Sequence, residues 1–114
     1  MKVRTVYFNV NNMSSAIIFW QKLLGFKPHK KSEFWSEFKC ENINLGLLAR
    51  GNLAKSASCI PVFEVKDEEL ETLKQTALKA GATIEVNITD HPDKKSYVLH
   101  DPEGNEFEIT KFHD

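Results

Sequence analysis

Apolar and polar positions alternate with period two over residues 5–10 (TVYFNV) and again over residues 60–65 (IPVFEV). That is the pattern of a half-buried β-strand. Phe8 aligns with Phe63 and Val10 with Val65, so the chain repeats itself. A helix start signal follows each strand. In the first half it is Asn11-Asn12-Met13-Ser14, where Asn12 or Ser14 can cap; in the second it is Asp67 with Glu68 and Glu69. Those carboxylates suit the positive end of a helix dipole. Ile17, Trp20, Leu23 and Leu24 then form an i, i+3, i+4 stripe, as do Leu70, Leu73, Ala77 and Ala80, each predicting a helix with one buried face. Both helices are expected to stop at a glycine, Gly25 and Gly81, which supplies a left-handed cap.

Strand-like segments complete each half: residues 27–32, 34–40 and 43–48 in the first, and 83–88, 96–100 and 106–112 in the second. Asp101-Pro102-Glu103-Gly104-Asn105 reads as the turn before the last strand, with Pro second and Gly fourth. Residues 51–58 (GNLAKSAS) fall where a connector belongs. The expected organisation is a single domain, 1–114, of two modules at about residues 1–50 and 59–114. The expected fold class is α+β: two tandem βαβββ modules forming a curved, barrel-like mixed sheet with a helix on the outer face of each. One such sheet alone leaves an open edge and an unfilled face, so two must combine.

Composition narrows the function classes. The 114 residues suit one domain, and 41% apolar with 27% charged excludes both disorder and a membrane-embedded chain. Fifteen basic against sixteen acidic residues give a net charge of −1. No concentrated basic surface is available for nucleic acid. No apolar run is long enough to span a bilayer and no signal peptide is expected. Cys40 and Cys59 lack CxxC spacing, which points to free thiols in a reducing cytoplasm.

Three motifs in order resemble one family. Residues 15–26 (SAIIFWQKLLGF) are similar to the first helix of the vicinal oxygen chelate superfamily, which includes glyoxalase I, bleomycin-resistance proteins, fosfomycin-resistance enzymes and extradiol dioxygenases. Trp35-x-x-Phe38 followed by Leu45-x-Leu47 resembles its next strands, and residues 101–109 (DPEGNEFEI) match its most recognisable stretch. The resemblance implies metal ligands on the concave faces of the first and last strands of each half. Carried onto this sequence, those positions fall on Thr5, near Gly46, on Ile60 and on Glu108. Only Glu108 is a suitable ligand, and one carboxylate does not hold a divalent ion. The metal-dependent reactions of the superfamily are therefore put in doubt.

Strand alternation locates the remaining candidates. Val6, Phe8, Val10, Pro61, Phe63, Val65, Phe107 and Ile109 share the parity expected to pack on the helices. Phe34 and Phe38 are expected in the core, and Trp35 in a cleft or at a subunit contact, since tryptophan is favoured at both. A ligand-binding cleft is expected from Tyr7, Asn9, Trp35, Val62, Glu64 and Glu108. Glu64 and Glu108 are also a candidate carboxylate pair. His29, His91 and His113 read as surface residues. His100 ends a strand just before the turn, where it could approach Glu108 as an ion pair or acid–base couple.

The leading expectation is a bleomycin-resistance-like protein without metal or other cofactor, binding a small molecule rather than turning it over. The alternative is a metal-dependent lyase, isomerase or thiol transferase built on Glu108 with non-standard ligands. A third reading, an interaction module whose groove takes a protein partner, would be favoured by an aromatic cleft closed to small ligands together with a conspicuous apolar outer patch. The resemblance also implies a homodimer, since a second copy can cover exposed edges and an open face.

Overall fold

The computed structural model describes residues 1–49 and 59–113, apart from the side chain of Asp67. The connector at residues 51–58 and the capping role of the Asp67 side chain thus lie outside the described residues. In chain order the elements are β1 (Lys2–Val10), α1 (Met13–Leu24), β2 (Trp35–Cys40), β3 (Ile43–Ala49), β4 (Cys59–Glu64), α2 (Leu70–Lys79), β5 (Thr83–Ile88), β6 (Lys94–His100) and β7 (Glu106–Phe112). They fall into two compact units. The first is Thr5–Cys59; the second is Ile60–Asp114 with Met1–Arg4. Each pairs a mixed sheet with one helix, so the class is α+β. No helix among the described residues is long and apolar enough to cross a membrane.

In the first unit the strand order is β2-β3-β1, with β3 antiparallel to β2 and parallel to β1. Asn12 starts α1: its side-chain Oδ1 accepts a bond from the Ser15 amide at 3.0 Å. Gly25 ends it at φ 86°, donating its amide to the Gln21 carbonyl at 2.9 Å. Met13 and Ile17 of the helix pack with Phe38, Leu45 and Leu47, and Val6, Phe8, Val10, Trp20 and Leu24 close around them. Two expectations fail here. Leu23 is 64% exposed, because the buried stripe runs through 13, 17, 20 and 24. Phe34 is 71% exposed rather than in the core, since β2 begins one residue later.

The strand expected at residues 27–32 is also absent. Lys30 makes an isolated bridge to Glu37, where the His29 and Lys30 amides share the Glu37 carbonyl. Pro28 has no amide to extend that ladder. Ser32 then turns the chain, its hydroxyl accepting from the amides of Phe34 at 3.2 Å and Trp35 at 2.9 Å.

In the second unit the order is β4-β7-β6-β5, with β4 and β7 parallel and the rest antiparallel. A single 3-10 turn, Asp67–Glu69, leads into α2. The helix closes at Gly81, φ 108°, with the Ala82 amide reaching back to the Ala77 carbonyl at 3.0 Å. Leu70 packs with Val65, Tyr97, Leu99 and Ile109. Asp101 organises the β6–β7 turn by accepting the amides of Glu103 and Asn105, each at 2.9 Å. The bonds from Asn105 hold its carboxyl below the usual value.

One ionic network ties α2 to β6. The Tyr97 hydroxyl donates to Glu71 at 2.6 Å, and Lys74 and Lys95 approach the same carboxylate at 3.1 and 3.5 Å. The Tyr97 hydroxyl foremost, and then Lys74, hold the Glu71 carboxyl below its ordinary 4.5. A carboxyl lowered on folding stabilises above its unfolded pKa, and that contribution is lost as pH falls through the folded one. The difference in melting temperature between the wild type and Glu71→Gln is therefore expected to shrink as pH drops below 4.5. A difference that stays constant across the acid range would show that the charge contributes nothing.

Candidate functional site

The side chains of each sheet that point away from its helix follow from register. In the first unit, β1 contributes Thr5, Tyr7 and Asn9, and their partners on β3 are Asn44, Gly46 and Leu48. Trp35, Glu37 and Lys39 on β2 face those same β3 residues. Gly46 therefore lies between Tyr7 and Glu37, and Trp35 is drawn across it. A Cβ added at residue 46 would come 2.5 Å from Cζ2 of the indole and 2.9 Å from Cζ3, and nearer still to Cη2. The indole meets the Tyr7 ring edge-on, with centroids 5.6 Å apart. Tyr7 is buried, while Trp35 and Asn9 are half-buried.

Beside the indole, two residues along β2, Glu37 is 6% exposed. Its Oε2 sits 2.6 Å from His29 Nε2 and 4.0 Å from Lys30 Nζ. A buried carboxylate needs such partners, because desolvation without them is costly. Neither His29 nor Glu37 stands out from sequence as part of a site. Glu37 was accessible to reasoning, since it shares parity with Trp35. His29 was not, because its segment forms a bridge and turn instead of the expected strand.

In the second unit the face away from α2 carries Ile60, Val62 and Glu64, with Val62 opposite Glu108 and Glu64 opposite Thr110. β6 adds Ser96 opposite Thr110, Val98 opposite Glu108 and His100 opposite Glu106. Ser96, Glu108 and Thr110 make a buried polar group. The Ser96 hydroxyl lies 2.8 Å from the Thr110 hydroxyl and donates to Glu108 Oε1 at 3.4 Å. Val62 is 4% and Glu108 5% exposed.

The expected approach of His100 to Glu108 does not occur. Register places His100 beside Glu106, 3.3 Å from its Oε1, while the other ring nitrogen is 3.3 Å from Glu85. Glu108 lies one full alternation further along β7. Glu64, the other member of the expected carboxylate pair, is held by the Arg4 guanidinium at 3.0 Å and by Lys2 at 4.0 Å. Arg4 in turn lies over the Phe112 ring, 3.8 Å from its centroid.

The positions at which the resemblance implies metal ligands are therefore distinct in kind. Thr5 is buried, with a neutral hydroxyl; Gly46 lies beneath an indole; Ile60 is buried and aliphatic; Glu108 alone is a carboxylate. Among the described residues no three His, Cys, Asp or Glu side chains are placed to hold a metal ion. A groove of about 270 Å³ lies elsewhere in the second unit, between Val65, Glu69, Thr72 and Leu73, and includes none of the expected cleft residues.

The model of the glyoxalase/bleomycin resistance protein/dioxygenase superfamily matches residues 2–109. The chain belongs to that superfamily. Solved structures agree with the fold. An NAD-dependent benzaldehyde dehydrogenase from Legionella pneumophila is 20% identical with a TM-score of 0.75, over 95% of this chain and 97% of its own. An Mn(II)-bound glyoxalase from Novosphingobium aromaticivorans is 15% identical with a TM-score of 0.73, over 96% of this chain but 38% of its own. An extradiol ring-cleaving dioxygenase from B. fuscum is 16% identical with a TM-score of 0.76, over 98% of this chain but 32% of its own. At such identities the likeness is one of fold, and this fold carries several chemistries.

Proposed function

We propose that this chain binds a small molecule against the face of its first unit that carries Trp35, and that it works without the divalent-metal centre found elsewhere in its superfamily. Trp35 carries the reading. Its indole fills the space over Gly46 into which a metal-binding side chain would project. The other positions agree: a threonine hydroxyl is a poor ligand for Zn²⁺, Ni²⁺, Mn²⁺ or Fe²⁺ at neutral pH, isoleucine has no donor atom, and Glu108 alone is too little. The residues present do not fit a metal centre, so no Lewis-acid step is assigned to this chain.

What the face offers instead is a half-buried indole braced by Tyr7, Asn9 on the same face, and the Glu37–His29 pair. An aromatic surface with few polar handles suits a flat or apolar molecule bearing one or two hydrogen-bonding groups. Of the six expected cleft residues, Tyr7, Asn9 and Trp35 carry this proposal. Val62, Glu64 and Glu108 belong to the second unit, where Glu64 is engaged by Arg4 and Glu108 by Ser96. The free thiols Cys40 and Cys59 suit a reducing cytoplasm.

A second reading, a metal-dependent lyase, isomerase or thiol transferase, is favoured by one observation. Glu108 is a buried carboxylate at a family ligand position. Elemental analysis and calorimetric titration with Zn²⁺, Ni²⁺, Mn²⁺ and Fe²⁺ separate the two. No stoichiometric uptake is expected. Tight binding that disappears in Glu108→Gln would overturn the proposal and move the search to lyase and transferase assays. A fragment screen read by tryptophan fluorescence then finds ligands for the face, and isothermal calorimetry, which needs no fluorophore, tests it: Trp35→Leu should abolish the heat of binding, and Trp20→Phe should leave it intact.

A further inference from the structure

Glu37 keeps only 8% of its side chain exposed, and its Oε2 lies 2.6 Å from His29 Nε2. Sealing a carboxylate to that degree is costly, and the pair is weak evidence of a structural need, since packed apolar residues in its place are often as stable. Position argues for another use. Glu37 stands directly opposite Gly46 of β3, so the two are about 5 Å apart, and Gly46 is the residue that the Trp35 indole covers. The isolated Lys30–Glu37 bridge brings the chain before β2 to the same place. There the His29 and Lys30 amides donate to the Glu37 carbonyl at 2.9 and 3.3 Å. His29 is thereby fixed, by its backbone and by its ring, to the residue beside the indole. A ring bound through Nε2 turns its other nitrogen, Nδ1, away from Glu37, and 37% of the His29 side chain is exposed.

We propose that His29 is a general base, positioned by Glu37, that removes a proton from a carbon of a flat molecule lying against Trp35. The proposal rests on the reading of that face as a binding surface. A neutral imidazole that donates its Nε2–H to a carboxylate keeps its lone pair on Nδ1, so the partner fixes which nitrogen is basic and where it points. Glu37 acts through His29 and does not itself touch the molecule. The substrate class follows from base strength. Imidazole takes protons at neutral pH from carbon made acidic by a neighbouring carbonyl, nitro group or electron-poor ring. The electron pair of the C–H bond moves into that group, the proton rests on Nδ1, and it then returns to another atom of the product or to water. An isomerisation or elimination of this kind needs no oxidant, reductant or second substrate. The exposed Lys30 ammonium, 4.0 Å from Glu37 Oε2, adds positive charge close to where negative charge develops.

Benzisoxazole bearing a nitro group para to its ring oxygen is the probe, being flat, aromatic and opened by a base alone. When its carbon-bound proton is removed, the C–H pair becomes the third bond of a nitrile, the N–O bond breaks, and the oxygen leaves as a coloured cyanonitrophenolate. Nitroindazole, with N–H in place of that oxygen, is the unreactive analogue and reports binding by calorimetry. At about pH 8, above the usual titration range of histidine, kcat/KM is expected to exceed the second-order constant of free imidazole by at least about 100-fold. His29→Gln should lower kcat at least about 100-fold and leave the affinity for nitroindazole unchanged, which also shows that the variant is folded. Glu37→Gln should lower kcat at least about 10-fold with KM unaltered, because an amide meets Nε2 with either its oxygen or its N–H and no longer fixes the tautomer. His91→Gln is the control that keeps the full rate, since His91 sits in a loop where it accepts the Asp93 amide at 3.0 Å. A wild type that binds nitroindazole but opens the probe no faster than imidazole, or a His29→Gln variant as fast as the wild type, would overturn the inference and leave the binding reading standing. Failure of nitroindazole to bind the wild type would overturn it as well, and the fragment screen then decides the binding reading by itself.

Discussion

Phe38→Ala is expected to lower the free energy of unfolding by about 3–5 kcal/mol. The Phe38 ring is fully buried in the middle of β2, meets Phe26 edge-on at 6.2 Å and packs with Met13, Ile17, Leu45 and Leu47. Truncation forfeits the transfer energy of the ring and leaves a void. The void cannot easily close, because Leu45, the strand partner of Phe38, is held in register on its other side by Val6 of β1. A domain of this size holds only about 5–15 kcal/mol in all, so the loss should be plain in urea denaturation. Phe34→Ala is the control. It removes the same ring four residues earlier, from a side chain 71% exposed, and should stay within about 0.5 kcal/mol. Comparable losses at the two positions would mean that the core of this unit is not where Phe38 stands.

Those two phenylalanines also mark how far the sequence could be read. Alternation placed Phe34 and Phe38 on one face because they share parity. The inference fails at Phe34 because Ser32 caps the preceding turn with its own hydroxyl and β2 starts only at Trp35. Parity says nothing about where a strand begins. Where the repeat and its punctuation agreed, the reading was good. Asn12 and Gly25 bound α1, Gly81 closes α2, and β5 and β7 run over residues 83–88 and 106–112 as the pattern requires. In α1, by contrast, the stripe drawn through Leu23 misled, since a helix apolar on two sides has no unique buried face to read.

The candidate site was legible in its backbone and not in its partners. Parity alone put Tyr7, Asn9 and Trp35 on one face. It could not show that Glu37 would be buried against His29, because that contact depends on a turn and an isolated bridge. Nor could it separate Glu106 from Glu108 as the partner of His100. That choice rests on antiparallel register, which the length of the 101–105 turn sets and side-chain alternation does not.

Gly46→Ala is expected to destabilise the protein by about 1–3 kcal/mol, the usual range for overpacking a filled interior. The sign is the informative part. Glycine within a strand ordinarily weakens it, so alanine would normally gain about 0.5–1 kcal/mol where the backbone accepts it. Gly46 has no left-handed backbone angle to forbid a side chain. The obstacle is the Trp35 indole, three of whose carbons stand where the methyl group would go. In a Trp35→Ala background the same change at residue 46 should become neutral or stabilising, and the double-mutant cycle should give a coupling of about 1–3 kcal/mol. Gly46→Ala alone should also shift the tryptophan emission, because the indole must leave its place against Tyr7. If the change at 46 costs the same with and without Trp35, the indole does not occupy that space and the reading of this face as an aromatic binding surface falls with it. If the coupling appears, an indole at 35 and a metal-binding side chain at 46 exclude each other. The substitution that sets this chain apart from the metal-dependent members is then the tryptophan as much as the missing ligands.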